Sequence, residues 1–100
     1  MDPNFSGKEF DPILWNEQKK LESQYYYVHR CSMAESLKKI LEEQKMTKQE
    51  VLELLGKPGR YNSEGLLYYR LGYCGGFIDF YSILIYLDNN RVYKVRFIDG

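Results

Sequence analysis

Apolar residues recur at helical spacing across residues 33–41 and at strand spacing across residues 66–98. Met33, Leu37, Ile40 and Leu41 fall at i, i+4, i+7 and i+8, one stripe of a helix. Lys38, Lys39, Glu42 and Glu43 take its solvent side. Ser32 and Glu35 read as a capping box, so this helix is expected to begin near residues 30–32. A short connection, residues 44–46, leads to a second helix with both ends legible. Thr47 and Glu50 form another capping box, the hydroxyl taking one free backbone N–H and the carboxylate another. Val51, Leu52, Leu54 and Leu55 give this helix an apolar face. Gly56 suits the left-handed position just past the last turn, and Pro58 forbids continuation. The short connection predicts that the two helices form a hairpin.

From Gly65 the period drops to two. Leu67, Tyr69, Leu71 and Tyr73 alternate with Leu66, Tyr68, Arg70 and Gly72, the pattern of a half-buried strand. Gly75-Gly76 supplies a turn. Residues 77–87 are β-prone, with Ile83, Ile85 and Leu87 on one face. Asp88-Asn89-Asn90-Arg91 predicts a hairpin, because Asn tolerates the positive φ of tight β-turns. Residues 92–98 close the sheet, with Tyr93, Val95 and Phe97 expected on one side and Lys94 and Arg96 on the other. Neither layer can bury its apolar face alone. The expected fold is therefore α+β, a helical hairpin packed on a three-stranded antiparallel meander in the order α-α-β-β-β.

Ahead of these elements, residues 1–10 are polar and broken by Gly and Pro, a flexible N-terminal segment by expectation. Asp11-Pro12 reads as an N-cap and first-turn proline, opening a short helical or irregular stretch in which Ile13, Leu14 and Trp15 have apolar surface to bury. Residues 24–29, with Tyr25-Tyr26-Tyr27, mix β-prone and helical neighbours and read as a connector. Residues 11–100 then make one domain, able to bury roughly two-thirds of its unfolded surface.

Fourteen basic residues balance fourteen acidic ones, so no global field draws the chain to nucleic acid or anionic lipid. Ten tyrosines make up most of an aromatic content of 16%. Tyrosine is amphipathic and has few rotors, which suits a surface that is touched as well as a core. No run of about 18 apolar residues predicts a membrane span. Cys31 and Cys74 form no C-x-x-C pair and read as free thiols, with a bridge between them as the alternative.

The order of two short helices and three antiparallel strands resembles the SmpA/OmlA family of small bacterial envelope lipoproteins and the related β-lactamase-inhibitor-protein domain. Met46-Thr47, Val51, Leu54-Leu55-Gly56-Lys57-Pro58, Tyr69, Leu84-Ile85 and Asn90-Arg91-Val92 carry the resemblance. A subgroup pattern is similar too, in Trp15, Arg30, Met33, Gly56, Pro58, Tyr69, Leu71, Gly72 and Asp79. The resemblance implies a non-catalytic scaffold whose exposed face binds another protein. Envelope members begin with a lipoprotein signal and a lipidated cysteine, whereas this chain begins Met1-Asp2-Pro3-Asn4-Phe5. The expected location is therefore the cytoplasm, or the envelope if a leader was removed.

Candidate chemistry is sparse. His29 and Cys31, two positions apart, are badly placed as a base–nucleophile pair, and no third group orients the imidazole. One His and two distant Cys fall short of a zinc set, and Gly72-Tyr73-Cys74-Gly75-Gly76 lacks the Lys-Ser/Thr of a phosphate loop. No catalytic, cofactor or metal residue is expected, and no enzyme. Asp79 lies inside an apolar run, with Arg30 as its candidate partner across the helix–sheet boundary. A structural ion pair is the default for it and a functional cleft the alternative. Trp15, Arg30, Met33, Thr47, Leu55, Gly56, Pro58 and Asp79 are expected to hold the fold.

The sharper feature is the outer face of the sheet. Alternation sends Tyr68, Arg70, Leu84, Tyr86, Lys94 and Arg96 away from the helices, while Glu42, Glu43, Glu50 and Glu53 place negative charge on the helices. Cross-strand Tyr–Arg packing alone explains such residues. A docking surface for another protein is the functional reading, using that face and the turn near Gly75. A cytosolic immunity or inhibitor protein blocking a toxin or enzyme is the sharper alternative. Single-strand nucleic-acid binding, with tyrosines stacking bases, ranks last because the net charge is zero.

Overall fold

A computed structural model describes residues 7–17, 28–59, 65–73 and 80–99. It contains α1 (Pro12–Glu17), α2 (Val28–Gln44), α3 (Lys48–Leu55), β1 (Leu66–Tyr73), β2 (Phe80–Asp88) and β3 (Arg91–Asp99). The strands form one antiparallel sheet in the order β1-β2-β3. The fold is α+β, helices before strands as the hydrophobic pattern predicted, with α1 as a third helix ahead of the expected pair. Helix α2 lies across the sheet, meeting both β1 and β3. Helix α1 fits against α2 and α3. One core results, formed by Trp15, Met33, Ala34, Leu37 and Leu41, then Val51 and Leu55, and then the inner face of the sheet.

The local chemistry of each helix explains its ends. The Asp11 carboxylate accepts the N–H groups of Ile13 (2.9 Å) and Leu14 (3.3 Å), and Pro12 occupies the first turn, as expected. Helix α2 starts at Val28, ahead of the expected position, so Ser32 lies inside the helix and does not cap it. The extra turn puts Arg30 on the same buried stripe as Met33, Ala34, Leu37 and Leu41. The capping box of α3 is present in full: Glu50 N–H donates to Thr47 Oγ1 at 3.2 Å, and Thr47 N–H donates to Glu50 Oε1 at 2.8 Å. At its other end Gly56 adopts a positive φ of 84°, which an L side chain resists.

Residues 7–10, the described part of the segment expected to be flexible, run along α2. Lys8 N–H donates to the Ser32 carbonyl at 2.9 Å, and Phe10 N–H to Ser36 Oγ at 2.9 Å.

In the sheet, Leu67, Ile85 and Val95 form one inward row and Tyr69, Ile83 and Phe97 the next. Asn89 and Asn90 both have positive φ, 51° and 64°, the backbone of the tight hairpin their identities predict. Two bulges break the alternation. In β1, Arg70 pairs with Ser82 and Gly72 with Tyr81, leaving Leu71 between them without a cross-strand partner. In β3, Leu87 pairs with Val92 and Tyr86 with Lys94, leaving Tyr93 unpaired in the ladder. This second bulge overturns one expectation: Val92, not Tyr93, joins Val95 in the core, and Tyr93 is 60% exposed. The turn requires Val92 to face inward beside Leu87, while the outward Lys94 requires Val95 to face inward. Only an inserted residue satisfies both.

The connection between α2 and α3 is bonded to the start of β3. Val92 N–H donates to the Met46 carbonyl (2.8 Å), Lys48 N–H to the Asn90 carbonyl (3.1 Å), and the Arg91 guanidinium to the Lys45 carbonyl (3.0 Å). Thr47 and Arg91 form a β-bridge there. Further along β3, Val95 N–H donates to the Glu42 carboxylate at 2.9 Å, and Lys38 pairs with that carboxylate at 3.5 Å. Helix and edge strand are thus joined by backbone donors as well as by apolar packing.

Candidate functional site

The six residues expected to face away from the helices share one side of the sheet. The register sets Leu66–Tyr86–Lys94, Tyr68–Leu84–Arg96 and Arg70–Ser82–Ile98 as three rows across the strands. The face is not uniform. Tyr68 is only 6% exposed and Ser82 is fully buried, with Ser82 Oγ donating to Tyr68 Oη at 2.8 Å. Part of the cover on Tyr68 comes from the segment that follows α3. Gly59 N–H donates to the Tyr68 carbonyl at 2.7 Å, and a Cβ on Gly59 would stand 2.7 Å from the Tyr68 ring. Only glycine permits that approach. Tyr68 therefore belongs to the packed part of the molecule, a correction to its reading as an accessible docking residue.

The other end of the face is open. Leu66, Leu84 and Tyr86 are half-buried, and Arg70, Lys94 and Arg96 are exposed. Tyr93, extruded by the bulge, places its ring 6.2 Å from that of Tyr86. The Lys94 ammonium stands 5.8 Å above the Tyr86 ring, an amine over an aromatic face. Tyr93 is the surface residue that simple alternation missed. Counting outward from the Asn89-Asn90 turn could have found it, because both Val92 and Val95 had to be inside.

Trp15, Arg30, Leu55 and Gly56, four of the residues expected to hold the fold, are brought together around Tyr69 on the helix side of the sheet. The Trp15 indole is fully buried, 6.0 Å from the Phe10 ring and 6.3 Å from the Tyr69 ring. The Arg30 guanidinium lies over it and donates to the Trp15 carbonyl (3.2 and 3.3 Å) and the Arg70 carbonyl (2.9 Å). Asp79, the partner expected for Arg30, lies outside the described residues. The last carbonyls of α3 are satisfied by side chains from two other elements. Trp15 Nε1 donates to the Leu55 carbonyl (3.1 Å), Asn16 Nδ2 to the Leu54 carbonyl (3.2 Å), and Tyr69 Oη to the Gly56 carbonyl (2.7 Å). Met33 and Leu55 are fully buried, and Pro58 is half-buried in the turn that follows. Burial pushes the Tyr69 phenol well above its ordinary 10.0, partly offset by the positive charge of Arg30.

Cys31 is disulfide-bonded, which corrects its reading as a free thiol and removes it as a nucleophile in this state. Its Sγ lies 3.7 Å from the Leu71 carbonyl, over β1. The chain's other cysteine, Cys74, lies outside the described residues, as do the Gly75-Gly76 turn and the tyrosine run at 25–27. Among the described residues, no three His, Cys, Asp or Glu side chains gather into a metal set. Among them also, no helix is long and apolar enough to cross a membrane. Among the described residues, two open grooves run along the solvent side of α2, one walled by Gly7, Glu9 and Phe10, the other by Phe97. Neither holds a buried polar side chain aimed at a ligand.

Compared with known proteins, the chain matches no family model, no curated protein and no solved structure.

Proposed function

We propose that this chain is a non-catalytic protein-binding module of SmpA/OmlA-like fold that docks through the open end of its outer sheet face. The observation that carries the reading is Tyr93. A bulge turns an aromatic ring out to 60% exposure beside Tyr86, Lys94 and Arg96, on the side away from the helices. Tyr and Arg in such clusters dominate binding energetics, and an extruded ring stabilises no core. Residues 7–17 pack on α2 and α3, not on this face.

An immunity or inhibitor protein is the finer version of the same reading. Single-strand nucleic-acid binding is the other reading, with the same tyrosines as stacking platforms. The disulfide at Cys31 supports the envelope over the cytoplasm, because cytosolic thiols are kept reduced.

The test is a pull-down from native cell extract with the wild-type chain and the Tyr93→Ala variant, read by mass spectrometry. A protein retained by the wild type and lost by a variant of unchanged melting temperature is the expected result. Equal retention by both, or by neither, overturns the reading.

A further inference from the structure

We infer that the occupant of this surface is an acidic protein segment. Its carboxylates would meet Lys94 and Arg96 while an aliphatic or aromatic side chain rests on Leu84, Tyr86 and Tyr93. The inference deepens the docking reading and rests on it.

Charge decides the partner's chemistry. Lys94 and Arg96 lie two residues apart on one side of β3, roughly 7 Å along the strand. Both are exposed, and neither forms an ion pair among the described residues. Their cross-strand neighbours Tyr86, Leu84, Leu66 and Tyr68 carry no charge. Among the described residues, the acid on that side is Asp88, at the hairpin end and directly opposite Arg91. The chain as a whole is neutral, so this positive excess is balanced elsewhere. Glu35, Glu43, Glu50 and Glu53 are exposed on α2 and α3. The helices carry both signs, Lys38, Lys39 and Lys48 standing among these glutamates, so it is the local excess at Lys94 and Arg96 that would draw an acidic partner to this face.

The apolar part of the surface fixes the rest of the recognition. Leu84 and Tyr86 are half-buried, and Tyr93 adds an exposed ring next to them. Carboxylates alone would leave these groups wet. A segment in which acids flank an apolar side chain satisfies both halves, with the better-desolvated contacts at the centre and the charges at the rim. Nucleic acid fits less well: among the described residues, Lys94 and Arg96 are two cations about 7 Å apart, too few to track a phosphate backbone.

The probe is a synthetic 12-residue peptide alternating Glu with Leu and Tyr, titrated into isotope-labelled protein and followed by amide chemical shifts. Controls are the same peptide with Lys for Glu, and an oligothymidylate of equal length. The acidic peptide alone is expected to shift the amides of Tyr86, Tyr93, Lys94 and Arg96. Binding should weaken about tenfold or more in the Lys94→Glu/Arg96→Glu variant, and similarly when salt rises from about 0.05 to about 0.5 M. No shift, an equal response to the lysine peptide, or a stronger response to oligothymidylate overturns the inference. So does movement of the same amides when the protein alone is concentrated, which assigns the face to a second copy.

The cellular partner separates the two levels. Capture that depends on Tyr93 but survives high salt and the charge reversal keeps the docking reading and rejects the acidic partner. Capture indifferent to Tyr93 rejects both.

Discussion

The guanidinium of Arg30 sits over the indole of Trp15, its Cζ 4.0 Å from the ring centroid, while its nitrogens bond the Trp15 and Arg70 carbonyls. One side chain thereby ties α1, α2 and β1 together. Arg30→Lys keeps the charge but cannot reproduce the planar fork or the stacking. It should lower unfolding free energy by about 1–3 kcal/mol, and Arg30→Ala by more, because buried carbonyls then lose their donors. Urea titration measures both, and wild-type stability in Arg30→Lys would show that the fork is dispensable.

Tyr68 and Tyr93 should respond oppositely to truncation. Tyr68→Ala empties a buried site and removes one hydrogen-bond partner of Ser82 Oγ, so a loss of about 2–4 kcal/mol is expected. Tyr93→Ala with Arg96→Ala removes exposed groups and should change stability by no more than about 0.5 kcal/mol. Thermal melts of the two variants check the contrast. Leu55→Ala, in the core, should cost about 2–5 kcal/mol.

The box at the start of α3 predicts an acid limb. Thr47's backbone N–H, with help from the Arg91 charge, holds the Glu50 carboxyl below its ordinary 4.5. A lowered folded pKa contributes stability above the ordinary value and loses it as pH falls below 4.5 through the folded one. Denaturation midpoints taken from pH 7 down to pH 2 should fall less steeply in Glu50→Gln than in the wild type. Thr47→Ala should cost about 1 kcal/mol at neutral pH.

Tyr69 predicts the opposite limb. Its phenol is raised above 10.0 in the folded chain, so the folded state holds the proton that the unfolded state releases. That stability is complete below the ordinary value and declines as pH rises beyond it. Tyr69→Phe should remove this alkaline slope and cost about 1 kcal/mol at pH 7 through the lost bond to Gly56. Stability measured between pH 8 and pH 11 distinguishes the variant from the wild type.

With Cys31 in a disulfide, native protein should show no thiol to an alkylating reagent before reduction and two afterwards. Leu71, beside Cys31 Sγ, lies three residues from Cys74, a span of about 10 Å at most, so a bridge within one chain is within reach. Monomer mass without reductant is the expected result. A dimer that reductant dissolves would place the bridge between chains.

Local chemistry made much of this legible. Thr47 and Glu50 form the capping box their spacing predicts, and Gly56, Asn89 and Asn90 all take the positive φ expected of them, Gly56 with an extended ψ of -161° in place of the left-handed helical one. The outward side of β1 as far as Arg70, and that of β2, followed from period-two alternation alone. What escaped depends on distant neighbours. Ser32 resembles a cap in isolation, yet α2 extends past it, carrying Arg30 onto the buried stripe with Met33. Tyr68 was placed on the correct face, but its burial depends on Gly59, which approaches from another part of the chain. Leu71 and Tyr93 sit at bulges, where a periodic pattern slips by one residue and no single amino acid announces it.

The rung that β3 omits has a final consequence. Deleting residue 93 would let Val92 and Lys94 follow one another in an unbroken ladder, with every inward side chain still inward. Tyr93 belongs to no core row, so a shortened chain that keeps its melting behaviour but ignores its natural companion would show the ring is carried for an encounter.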